Sequence, residues 1–143
     1  MHQQTLAIHA GRSVDAGTGA VSLPIHLSTT FERASDGSFA SGFEYSRDNN
    51  PNRASLEHCI AQLEGGASAV AFASGMAAIC AVIESLPADA PRRILMPADV
   101  YFGVRSLVSQ TDIGVRFDCV KVDMTSIDAV QAALDQAPAG LVL

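Results

Sequence analysis

Phe72-Ala73-Ser74-Gly75-Met76-Ala77-Ala78 is the stretch on which the fold turns. The apolar run Ser68 to Ala73 is short and bounded, and reads as a buried strand. It enters a turn of small residues, and the alanine-rich Gly75 to Leu86 reads as a helix. The first N–H groups of any helix lack internal acceptors, and the helix dipole is positive there. Gly75 removes side-chain bulk, so a phosphate can approach the backbone. The same residues also suit a plain strand-to-helix turn with Ser74 as its cap, and the two readings stay open at this point. Neither G-x-G-x-x-G nor G-x-x-x-x-G-K-[ST] occurs, so dinucleotide and P-loop binding have little support.

Outward from this turn the chain alternates. Arg93 to Met96 reads as a second strand, Val100 to Gln110 as a helix, and Val115 to Val122 as a third strand. Ser126 to Ala137 is helical, with Ile127, Val130, Ala133 and Leu134 on one side, and Gly140 to Leu143 begins a fourth strand. Such alternation predicts an α/β layered fold with a mainly parallel sheet. The chain stops inside its last apolar run with no turn or cap after it, which predicts a longer natural domain. In the other direction, Asn50 is a good N-cap and Pro51 suits the first helical position. Leu56, Cys59, Ile60 and Leu63 share one apolar face, and Gly65-Gly66 stops that helix. Thr5 to Ser46 has little helical period, and Pro24 interrupts the strand-like Val21 to Phe31. This part reads as an extended arm with turns, suited to lie on another surface.

Composition excludes several classes. With 143 residues, 48% hydrophobic, the chain has material for one core. Nine basic against fifteen acidic residues give a formal charge of −6, with no basic stripe for nucleic acid. No apolar stretch approaches the roughly 20 residues of a membrane span. Met1 to Gln4 lacks a secretory pattern, so a cytoplasmic location is expected. Cys59, Cys80 and Cys119 are odd in number and widely spaced, and are expected as buried free thiols. His2, His9, His26 and His58 have no metal-ligand spacing, and no metal site is expected. Lys121 is the single lysine. No internal repeat is present.

Two further segments carry candidate chemistry. In Tyr45-Ser46-Arg47-Asp48-Asn49-Asn50-Pro51-Asn52-Arg53, an arginine fork can grip a phosphate and a tyrosine hydroxyl can add a donor. The segment equally suits a solvated loop leading into the helix. In Asp99-Val100-Tyr101-Phe102-Gly103, an aromatic ring just past a strand end can lie against a planar ligand, or be a half-buried core tyrosine.

Taken together, the segments resemble the N-terminal part of the Cys/Met-metabolism pyridoxal-phosphate (PLP) enzymes. That group contains cystathionine gamma-synthase, cystathionine gamma-lyase, methionine gamma-lyase and the O-acetylhomoserine sulfhydrylases. The resemblance covers essentially the whole chain. It runs through Ile8-His9-Ala10-Gly11, Thr18-Gly19-Ala20-Val21, Pro24-Ile25 and Ser28-Thr29-Thr30-Phe31. It continues through Tyr45-Ser46-Arg47, Asn50-Pro51, Leu56-Glu57, Leu63-Glu64-Gly65 and Ala73 to Ala78. Departures are Asn52, where threonine is usual, and Phe102 and Val104, where glycine and threonine are commoner.

The resemblance implies a partial type I aminotransferase-like PLP-binding domain in residues 53–143. Residues 1–52 would form the arm and an inter-subunit phosphate loop. Gly75 and Met76 would offer backbone N–H groups to the phosphate of pyridoxal 5'-phosphate. Tyr45 and Arg47 would reach the neighbouring subunit's phosphate, and Tyr101 would stack on the pyridine ring and assist proton movement. Active sites would be shared within a dimer of a homotetramer. The substrate would be a small amino acid, processed by gamma-replacement or by gamma- or beta-elimination. The family's Schiff-base lysine lies downstream of the matching segments, and Lys121 does not occupy its place. The chain alone is therefore expected to be inactive. Rival readings are a non-catalytic or split-protein piece keeping an oligomerisation surface, another type I PLP enzyme such as an aminotransferase, and a generic α/β phosphate-binding domain.

Overall fold

The structure, a computed structural model, describes residues 2–143. The chain forms two compact units, Met1–Ala71 and Phe72–Leu143.

In the first unit, α1 (Gln3–His9) is a short helix within the region expected to be extended. It has no capping side chain and buries none of its residues, so its sequence carries no amphipathic signal. Contact with α2 (Pro51–Glu64) holds it. The joint is Gly11, at φ +71°, where a Cβ would collide with the Ser55 carbonyl oxygen and touch the Cys59 Cβ. Only glycine combines that backbone conformation with that approach. Gly11→Ala is expected to cost about 1–3 kcal/mol. It should show as faster tryptic cleavage after Arg12, since α1 is released before α2.

α2 begins and ends as its sequence predicts. The Asn50 side chain accepts from the Asn52 amide at 2.9 Å, Pro51 stands first, and Gly65 closes the helix at φ +67°. Its apolar face is not buried, however: Leu56 and Ile60 are 52% and 43% exposed, and Ala61 is its one buried residue. The arm returns over the start of this helix. Asn52 accepts from the His26 amide (2.8 Å) and donates to the Pro24 carbonyl (2.7 Å). Asparagine carries its acceptor and its donor on two separate atoms at the end of the side chain, whereas threonine has a single, shorter-reaching hydroxyl, and this gives the departure at position 52 a structural use. Among the described residues, the strand-like Val21 to Phe31 forms one antiparallel bridge, Thr30 with Tyr45.

In the second unit, α3 (Gly75–Glu84) leads to β1 (Arg93–Pro97). α4 (Phe102–Gln110), α5 (Ile113–Arg116), β2 (Asp118–Val122), α6 (Ile127–Gln136) and β3 (Leu141–Val142) follow. The sheet is parallel, in the order β2-β1-β3. Arg93 pairs with Asp118, and Ile94 with both Cys119 and Leu141. Successive side chains of a strand point to opposite faces. Ile94 accordingly packs with Ile83, Ile113 and Phe117, while Leu95 packs with Val122 and Ala133. Helices thus cover both faces of β1, which explains why Ile94, Leu95 and Met96 are all buried.

Two expectations fail here. The first half of the run Val115 to Val122 is not strand: α5 occupies Ile113–Arg116 because Ile113 and Phe117 are both drawn into the core. The run Ser68 to Ala73 is neither a strand nor buried, with Val70 70% and Phe72 45% exposed. A strand exists only through its ladder, and no neighbour pairs with this run among the described residues. The sheet therefore has three strands, not four.

Candidate functional site

Ser74 sets the geometry at the start of α3. Its backbone is extended (φ −154°, ψ 155°), and its hydroxyl accepts from the Ala77 amide at 3.1 Å. The Ala78 amide donates to the Ser74 carbonyl at 3.2 Å. Two donors of the first turn remain. Among the described residues, the amides of Gly75 and Met76 have no acceptor. A Cβ on Gly75 would meet nothing within 4 Å, so the approach is open. A cap and a pair of free donors thus coexist here: Ser74 satisfies the third amide and leaves the first two without an acceptor at the positively polarised helix end.

Tyr101 stands at the N-cap of α4, 69% exposed, and its carbonyl accepts from the Val104 amide at 3.0 Å. It is not a core tyrosine. Its ring and the Met76 side chain both crowd the space beside Gly103. Gly75, Met76 and Tyr101 are therefore brought together by α3 and α4 of the second unit. In the sequence, Gly103 stands out only as part of the Tyr-Phe-Gly segment. The signal that could have singled it out is a glycine two residues past an aromatic at a helix start.

Tyr45 and Arg47 lie in the first unit. Tyr45 is half-buried at the Thr30 bridge, and the exposed Arg47 guanidinium lies over its ring at 4.8 Å from the centroid. Arg53 secures the loop from below, donating to the Arg47 carbonyl at 3.3 Å and to the Asp48 carbonyl. The loop is therefore braced through its backbone while the Arg47 side chain stays free of any ion pair among the described residues.

Other reactive groups are unsuited to chemistry. Lys121 is exposed on β2, opposite Met96 in the ladder. The three cysteines are free and half-buried instead of fully buried. The Cys119 thiol is pushed above its ordinary value, by burial first and by the Asp118 carboxylate second, so it stays protonated and a poor nucleophile. Among the described residues no group of three His, Cys, Asp or Glu side chains could hold a metal ion. No helix is long and apolar enough to cross a membrane. A cavity of about 780 Å³ in the first unit, lined by Arg12, Leu23, Pro24, His26, Phe31, Phe43 and His58 among others, contains none of the candidate residues. An anion bound by backbone amides needs a helix N-terminus such as that of α3, which this open and mainly apolar cleft does not supply, so the geometry of α3 weighs more.

Comparison with known proteins bears on the family of the chain. The family model described as Cys/Met metabolism PLP-dependent enzyme matches residues 4–142. Cystathionine gamma-synthase of Mycobacterium leprae is 43% identical over 132 residues, 91% of this chain and 33% of that protein. Cystathionine beta-lyase of Lactococcus lactis is 39% identical over 135 residues, 93% of this chain and 34% of that protein. The crystal structure of cystathionine gamma-synthase from Xanthomonas oryzae, in complex with aminoacrylate and cysteine, superposes with a TM-score of 0.81 at 31% identity. It covers 96% of this chain, which covers 35% of it. The chain thus spans about a third of the length of these relatives. On these matches the chain belongs to the Cys/Met metabolism PLP-dependent enzyme family, whose cofactor is PLP.

Proposed function

We propose that this chain is the phosphate-gripping N-terminal part of a trans-sulfuration enzyme that acts on a sulfur amino acid or an activated homoserine. Gamma-replacement or gamma- or beta-elimination is the reaction, most like that of a cystathionine gamma-synthase or gamma-lyase. One observation carries the reading: two free amides, on Gly75 and Met76, open beside the exposed ring of Tyr101.

The residues present fit the cofactor. The Gly75 and Met76 amides would hold its phosphate at the positive end of α3, and the Tyr101 ring would lie on its pyridine face. When bound, the pyridine ring supplies an electron sink for a carbanion at the substrate's α-carbon. Tyr101 has a second use, because its hydroxyl makes no hydrogen bond among the described residues and is free to hold or pass a proton. Arg47 and Tyr45 would extend from one subunit to the phosphate of a second copy, completing a composite cradle. An Arg47 guanidinium without a carboxylate partner suits that task. The anchoring amine would come from the remainder of the protein, since Lys121 stands exposed on β2.

Pyridoxamine 5'-phosphate tests this directly, because it cannot bond covalently to a lysine. Calorimetry should show saturable binding, about tenfold or more weakened when the phosphate is absent. Equal affinity for pyridoxamine and its phosphate ester would overturn the reading. In a second arm, incubation with PLP and then borohydride should leave Lys121 without a stoichiometric adduct. Such an adduct, accompanied by lyase or synthase turnover, would show that this chain anchors the cofactor itself.

The open apolar face of α2, with Leu56 and Ile60 half exposed, favours a second reading. In it the chain is a non-catalytic piece that keeps the fold's oligomer-forming surface. Self-association without any pyridoxamine phosphate binding would select it.

A further inference from the structure

We propose that Gly103 is a positioning residue, whose missing side chain lets the Tyr101 ring rest against the sulfur of Met76. A Cβ built on Gly103 would stand 2.6 Å from Cε1 and 3.1 Å from Cδ1 of Tyr101, and 2.9 Å from Sδ of Met76. Real Cβ atoms do not approach other heavy atoms below 3.0 Å. The ring edge and the sulfur therefore share the space that a side chain at 103 would take. A thioether against an aromatic edge is a favourable contact, and both partners here are otherwise loosely held. Tyr101 is 69% exposed, and its hydroxyl has no hydrogen bond among the described residues. Met76 is half-buried in the first turn of α3.

The consequence joins the two parts of the site. Met76 presents its amide at the open end of α3 and its side chain to Tyr101, so one residue ties the ring to the phosphate end. Glycine is a costly choice inside a helix compared with alanine. Gly103 is the second residue of α4, and the occupied space beside it supplies the physical reason. The crowding atoms are ends of flexible side chains, not backbone. An added methyl group would therefore displace the ring and the thioether and leave the fold standing. The purpose of the device rests on the cofactor reading above; its existence does not.

Methyl-labelled methionine in the 143-residue chain tests it by NMR. The Met76 methyl should carry a ring-current shift from Tyr101, while Met96, buried in β1, reports on the core. Tyr101→Leu should move the Met76 signal and leave Met96 in place. Gly103→Ala should move Met76 in the same direction, and adding Tyr101→Leu to Gly103→Ala should then move it little further. A Met76 signal indifferent to Tyr101→Leu overturns the proposal. So does a Tyr101→Leu displacement that is equally large with and without Gly103. Should Gly103→Ala also disturb Met96, the Tyr101→Leu spectrum decides alone: movement of Met76 supports the contact, and none overturns it. The spectra are recorded without cofactor, so a failure here is separate from a failure of pyridoxamine phosphate to bind.

Discussion

Leu95→Ala is expected to remove about 2–5 kcal/mol from the Phe72–Leu143 unit. Leu95 is fully buried at the centre of β1, between strands on both sides, and packs on Val122 and Ala133. Its truncation leaves a void that Ala133 is too small to fill. Around it, Val120, Val130 and Leu134 are only partly buried and already engaged. A unit of this size has on the order of 4–10 kcal/mol of stability in total. Urea denaturation should therefore show a midpoint displaced by a large fraction of its original value. A loss below about 1 kcal/mol would mean that the α6 face closes over the void, contrary to the usual rigidity of packed interiors.

Arg93→Leu should cost a comparable amount, by a different route. Arg93 opens β1, and its Nη1 donates to the carbonyls of Ala133 and Ala137, both at 2.6 Å. Those carbonyls belong to the end of α6, where no further helical N–H exists to meet them. One guanidinium thus caps the helix, opposes its negative dipole end and links it to the sheet. The side chain is only 12% exposed, whereas its ion-pair partner, Asp118 at 3.6 Å, is 71% exposed and adds little. Leaving the two carbonyls unpaired sets the scale at about 2–4 kcal/mol. Arg93→Lys should recover part of the loss, because one ammonium cannot match the planar fork. Amide exchange in the last turn of α6 is the sharpest measure: it should accelerate in Arg93→Leu more than exchange in β1 does.

Signals in the sequence are legible where the cause is itself local. Asn50, Pro51 and Gly65 mark the ends of α2 because caps act within four residues, and Ser74 and Ser126 do the same for α3 and α6. β1 was legible because a strand covered on both faces is apolar throughout. What failed depends on neighbours. Ser68 to Ala73 has the composition of a strand but no ladder, and the apolar stripe of α2 has no described cover. α1 and α5 were missed because four to seven residues carry too little period to register. At the candidate site, the expectation for each residue rests on several motifs in order, not on any one of them. The division of labour among the four amides of the α3 entrance needed coordinates, since a sequence cannot say which donor a serine will take.

Among the described residues the run before Ser74 has one tether: the Ala71 amide donates to the Glu57 carboxylate at 2.9 Å. A stretch with open amides and exposed Val70 and Phe72 invites edge-to-edge aggregation. Glu57 occupies one of those amides, and with Arg53 at 3.7 Å beside it the contact brings charged side chains to an otherwise apolar run, as natural strand edges do to discourage pairing.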